Sequence, residues 1–185
     1  GVGPGVAVAV HLRNSFEYVI TEFAILKLAA IRVPLNELMG VPELVHCLEH
    51  SGAQVLVTHA DLPRPSGLQR ELLEIFVDLD SGPPLAARQV HWADAMAVQL
   101  PFDVRVAGPD DTAIIAYTGG TTGRPKGVRH TYGRMAWNLF SHINCLDIRA
   151  EEVMLLTTPL PHSSGYHMVA GFLQDALVEA EPAQF

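Results

Sequence analysis

The chain has 185 residues and a formal net charge of −8, with 49% hydrophobic and only 17% charged residues. A typical soluble domain is about a quarter charged. The composition excludes intrinsic disorder and allows one domain, or two small ones, with a real core. It leaves open a membrane protein, or a piece of something larger whose neighbours cover apolar surface.

The membrane reading fails on the residues. The longest stretch without Asp, Glu, Lys or Arg runs from Val153 to Gln174, but Pro159, Pro161, His162, Ser163, Ser164 and His167 interrupt it. A spanning helix needs about 20 predominantly apolar residues. No basic segment followed by a small-residue cleavage site opens the sequence, so no signal peptide is expected. Cys47 and Cys145 fit no metal or redox spacing. They are expected as buried free thiols of a reducing, cytoplasmic compartment. The acidic balance argues against a general nucleic-acid surface.

In chain order, Val6–Val10 reads as a buried strand. Asn14 or Ser15 can cap a following helix. Phe16, Val19, Ile20, Phe23, Leu26 and Ala30 recur at helical spacing and are expected as its core face. Ile31–Pro34 is a second strand. Pro42 suits the first turn of another helix, with Leu44, Val45 and Leu48 inward and Gly52 as its stop. Gln54–Thr58 is a third strand. Residues 61–110 form an irregular connection punctuated by Pro63, Pro65, Gly67, Gly82, Pro83, Pro84 and Pro101, with a helix end and a strand within Leu72–Leu79. Thr112–Tyr117 is a strand, followed by a loop and a helix from about Thr131. Met135, Leu139, Ile143 and Leu146 lie on one side of that helix. Val153–Thr157 is a strand and Gly165–Leu177 a helix. This alternation predicts an α/β sheet with crossover helices.

Charge is unevenly spread. Thr112 to Cys145 contains no acid but carries Arg124, Lys126, Arg129 and Arg134, so a window of +4 sits in a remainder of −12. Such an island points to a small anionic ligand. It overlaps the run Thr118-Gly119-Gly120-Thr121-Thr122-Gly123-Arg124-Pro125-Lys126-Gly127. Glycines let backbone approach a ligand closely, and successive N–H groups can converge on an anion. The three threonines add hydroxyls and Lys126 a full charge. A Lys–phosphate pair at ~4 Å gains roughly 4 kcal/mol at an effective dielectric of ~20, before desolvation. A simple P-loop is excluded, because that signature needs Gly-Lys followed by Ser or Thr entering a helix. Here Lys126 lies between Pro125 and Gly127.

Tyr117 to Val128, YTGGTTGRPKGV, resembles the phosphate-binding signature of the adenylate-forming superfamily, most closely its AMP-forming acyl-CoA synthetases. Gly3–Ala30, the stretch Val33-Pro34-Leu35-Asn36, and Thr158 to Gly165 (TPLPHSSG) agree with it. Most members carry Ser where this chain has Gly119, although some acyl-CoA synthetases share the Gly form. The resemblance implies a layered αβα arrangement with a largely parallel sheet, part of the large N-terminal domain of that fold. On that reading residues 1–60 are the first βα units and 61–110 an irregular connection. Residues 111–185 are the phosphate-loop unit and the start of the acyl-pocket region.

The same resemblance implies ATP-dependent activation of a carboxylic acid, fatty or aryl, to an acyl-adenylate, then thioester formation with CoA. Mg²⁺ would accompany ATP. Thr118, Gly119, Gly120, Thr121, Thr122, Gly123 and Lys126 would form the loop over the phosphates, with Arg124 exposed. His162 would orient the substrate carboxylate or gate the pocket. No residue is assigned to a metal, and the other histidines are expected to be structural. Arg129 and His130 are expected to open the helix after the loop. The family's C-terminal domain, with its catalytic lysine, has no match here, so the 185 residues are expected to be inactive alone. Two alternatives stand beside this reading: a non-catalytic nucleotide-binding module, and an adenylation domain serving a carrier protein.

Overall fold

The computed structural model describes residues 1–77, 88–98, 103–118 and 123–180. Its elements are β1 (Ala7–His11), α1 (Phe16–Lys27), β2 (Ile31–Pro34), α2 (Val41–Ser51), β3 (Val55–His59), β4 (Leu73–Val77), β5 (Gln89–His91), α3 (Trp92–Ala97), β6 (Thr112–Thr118), β7 (Lys126–Thr131), α4 (Tyr132–Leu146), β8 (Val153–Leu156), α5 (Gly165–Leu173) and β9 (Leu177–Ala180). Seven of the described strands form one sheet in the order β5-β4-β3-β1-β2-β6-β7. Every pairing in it is parallel except β6 with β7. Strands β8 and β9 make a separate parallel pair.

The layering follows from the pleat. Successive side chains of a strand point to opposite faces. Val8, Val10, Val55 and Val57 pack with Tyr18 and Ile25 of α1, Leu139 of α4 and Met168 of α5. Ala7, Ala9, Val33 and Leu56 pack on the other face with Leu44, Cys47 and Leu48 of α2. A parallel sheet covered on both faces needs strands apolar at every position, which is why VAVAV reads so cleanly. The expected αβα layering and largely parallel sheet are therefore present.

Local signals placed most boundaries. Ser15 caps α1, its Oγ accepting from the Tyr18 N–H at 3.2 Å. Gly52 ends α2 in the left-handed region at φ 73°, a conformation that glycine adopts without a Cβ clash.

The face of α1 differs from the expectation. Tyr18, Thr21, Glu22 and Ile25 are the buried residues, whereas Phe16 is 85% exposed and Ile20 is also exposed. The reason is electrostatic. Buried Arg32 on β2 takes the Glu22 carboxylate as its partner, and a buried guanidinium without a counter-charge is far more costly than an exposed phenyl ring. Burial pulls the Arg32 pKa down, but Glu22 and Tyr18 more than offset it and the net shift is upward. Phe23 instead packs edge-on against Phe172 at 5.5 Å.

Other corrections concern the second half. A strand, β7, lies between the glycine-rich loop and α4, so Arg129 and His130 belong to a strand and not to a helix start. The helix expected over 165–177 ends at Leu173, and Leu177 opens β9. Asp175, with φ 56°, makes the turn between them. Leu146 is exposed on α4. Cys47 is buried as expected, but Cys145 is exposed. The connection at 61–110 holds β4, β5 and α3, not an irregular run alone. Among the described residues no helix is long and apolar enough to cross a membrane.

Candidate functional site

The glycine-rich segment lies in sequence between β6 and β7, which pair antiparallel as a hairpin. Thr118 closes β6 and pairs with Lys126 at the start of β7. The Thr118 hydroxyl donates to the Lys126 carbonyl at 3.5 Å. Gly119, Gly120, Thr121 and Thr122 lie outside the described residues. Arg124 and Lys126 are exposed on either side of buried Pro125. Gly127 packs closely: a Cβ there would stand 3.0 Å from Cγ2 of Ile115 and 3.3 Å from the Tyr117 ring, so those side chains would have to give by a few tenths of an ångström.

Helix α2 holds the neck of this hairpin at Tyr117 of β6 and at Pro125, just before β7. Tyr117 donates its hydroxyl proton to the Cys47 carbonyl at 3.2 Å. The Tyr117 hydroxyl also shares a hydrogen bond with His50 Nδ1 at 2.8 Å. His46 Nε2–H donates to the Pro125 carbonyl at 3.0 Å. Burial pushes the Tyr117 phenol up to about 12 and the Cys47 thiol up to about 12, so both stay neutral at physiological pH. His46 and His50 recur one helical turn apart, and that spacing is the signal that could have linked them to one partner surface.

A cavity of about 630 Å³ opens beside the neck, at the C-terminal ends of β2 and β6. Open parallel sheets bind ligands at this end of their strands. Its walls include Leu38, Met39, Ile114 and Ala116, together with Thr118 and His162. The volume is ordinary for a small-molecule site. Thr118 and His162 thus share one cavity. Gly123 lines a second, smaller pocket with Arg124 and Pro42, and Lys126 lines neither.

His162 sits in a single wide turn, Leu160–Ser164, with φ −101° and ψ −151° that break the helical run. Asn14 secures the turn from across the sheet. Its Oδ1 accepts from the Leu160 N–H at 2.8 Å, and its Nδ2 donates to the Thr158 carbonyl at 3.1 Å. The hydroxyls of Thr158 and Ser164 also bond each other. At Gly165 a Cβ would lie 2.5 Å from the Leu160 carbonyl oxygen, so the glycine is needed for the turn to enter α5. The His162 ring is exposed, and Nε2 lies 3.1 Å from Asn36 Nδ2.

Beneath the cavity lies the buried Arg32–Glu22 pair, with the Arg32 guanidinium 6.0 Å from the Tyr166 ring centroid. On α5, burial and then the neighbouring His142 lower the His167 pKa. Among the described residues no group of three or more His, Cys, Asp or Glu side chains is placed to hold a metal ion.

Comparison with known proteins extends these observations. The chain is 36% identical over 172 residues to a feruloyl-CoA synthase of an Amycolatopsis species, covering 91% of this chain and 32% of that protein. It is 31% identical over 167 residues to the long-chain-fatty-acid–CoA ligase FadD13 of Mycobacterium tuberculosis, covering 88% of this chain and 32% of the relative. The chain therefore spans about a third of the length of these relatives. Its fold matches the crystal structure of the anthranilate CoA ligase AuaEII in complex with anthranoyl-AMP, with a TM-score of 0.82 at 23% identity, over 100% of this chain and 36% of that one. A family model for AMP-binding enzymes matches residues 1–176, and the chain belongs to that family.

Proposed function

We propose that the protein of which this chain forms part activates a carboxylic acid with ATP and transfers the acyl group to CoA. A carboxylate oxygen would attack the α-phosphorus and expel pyrophosphate. The CoA sulfur would then attack the acyl carbonyl and expel AMP. The difficulty in the first step is charge, since an anion must approach a polyphosphate. Fixed cations and aligned donors lower that repulsion without reorganising during the reaction. Thr118, Gly119, Gly120, Thr121, Thr122, Gly123 and Lys126 would hold the phosphates. Mg²⁺ would supply further neutralisation, arriving on the polyphosphate.

The observation that carries this reading is the shared wall. The neck of the glycine-rich hairpin, at Tyr117 and Thr118, borders the same 630 Å³ cavity as His162. A carboxylate oriented by His162 would therefore lie in the same open cavity as a nucleotide held at the hairpin. Positioning of that kind is a large part of what catalysis supplies. The apolar side chains Leu38, Met39, Ile114 and Ala116 suit a fatty or aryl acid.

The test is ATP–pyrophosphate exchange by the full-length protein across a panel of aryl and fatty acids. Acid-dependent exchange is expected, and Lys126→Ala should lower it about tenfold or more, as the loss of a charge-assisted contact. Nucleotide binding without exchange for any acid would overturn adenylation and favour the non-catalytic module.

A further inference from the structure

Asn36 and His162 are 126 residues apart in sequence and meet in the cavity wall, Asn36 Nδ2 lying 3.1 Å from His162 Nε2. The contact has a definite polarity because the Asn36 amide is held on its other side. Its Oδ1 accepts from the Leu38 N–H at 2.8 Å. That bond fixes which end of the amide is oxygen, so the end facing the imidazole is NH₂, which can only donate. His162 Nε2 must then accept. A neutral imidazole with Nε2 as acceptor carries its proton on Nδ1.

We infer that Asn36 is a positioning residue that holds His162 in the Nδ1–H tautomer, so that Nδ1–H is the donor His162 offers to an acceptor bound in the cavity. The inference rests on the proposed acid-activating function only for the identity of that acceptor, a substrate carboxylate. The local architecture serves the pairing. Asn36 lies two residues beyond the end of β2, and its bond to Leu38 closes a turn that fixes its side chain. His162 is fixed by a turn that Asn14 ties to the same sheet. The Asn36 amide cannot rotate far without breaking its bond to the Leu38 backbone. A misplaced tautomer would present a lone pair to a carboxylate and repel it.

Asn36→Asp isolates the effect. The aspartate keeps the oxygen that accepts from Leu38, and with it the turn. It replaces the NH₂ with a second acceptor, which only an Nε2–H can meet. The readout is a long-range ¹⁵N–¹H correlation spectrum of histidine-labelled full-length protein without substrate, with the His162 signals assigned by their loss in His162→Gln. Wild type should show an unprotonated Nε2 and a protonated Nδ1. Asn36→Asp, read at a pH where the ring is neutral, should show Nε2 protonated and Nδ1 without its proton. Its KM for the acid should rise about tenfold or more, with KM for ATP little changed, as expected for losing one hydrogen bond to a charged group. A wild-type Nε2 that carries the proton overturns the inference even where the variant does not fold. So does an Asn36→Asp spectrum unchanged at His162. Since the spectra contain no substrate, a protein that supports no exchange would refute the activity and still leave the tautomer decided.

Discussion

Acid should destabilise this fold through one residue, His11. It is fully buried at the end of β1, with Nδ1 3.4 Å from the Thr58 hydroxyl. Burial lowers its pKa from 6.5 to about 4, outweighing the Asn36 backbone, which raises it; Arg13 lowers it further. The unfolded chain therefore takes up a proton near pH 6.5 that the folded chain resists until about pH 4. The stability at stake is fully present above pH 6.5 and is lost as pH falls toward 4. At about 1.4 kcal/mol per pH unit, that interval amounts to about 3 kcal/mol, most of it gone by about pH 4.5. Other groups titrate in the same range, so the assay is a difference: urea unfolding of wild type and His11→Gln at about pH 7.5, 5.5 and 4.5. Wild type should lose about 2.5 kcal/mol more than the variant between the highest and lowest pH. Parallel losses in the two proteins would refute the assignment.

Two substitutions test the framework around the site. Glu22→Gln leaves the Arg32 guanidinium buried without a counter-charge and should cost about 3–5 kcal/mol in chemical denaturation. Gly165→Ala places a methyl 2.5 Å from a backbone oxygen and should lower stability by about 1–3 kcal/mol. Gly3→Ala, with nothing within 4 Å of the new carbon, should leave the melting temperature within about a degree.

Much of this architecture could be read before the fold was known, and the exceptions share a cause. The strands β1, β2 and β3 are central and covered on both faces, so their sequences are mostly apolar, with buried Arg32 on β2 the exception that Glu22 pairs, and their positions are plain. Strand β7 reads KGVRHT and lies at the sheet edge, half in solvent, so it has no apolar period to detect. Strand β9 is hidden because only the three residues Gln174, Asp175 and Ala176, with Asp175 left-handed, separate it from α5. The buried face of α1 was misjudged because hydrophobicity alone cannot weigh a Glu that pairs with an Arg on another strand. The candidate site divides the same way. The glycine-threonine run is contiguous and announces itself. The bond between Asn36 and His162 joins two loops that only the folded sheet brings together, and no local spacing encodes it.

The position of β7 has a further consequence. It ends the main sheet, and among the described residues nothing pairs with its outer side. An open strand edge is a template for another chain, and soluble proteins blunt such edges with charge. Here Lys126 and Arg129 lie exposed along it. Charge at these two positions disfavours edge-to-edge pairing of two copies of the sheet, so Lys126, proposed above as a phosphate contact, would serve the edge as well.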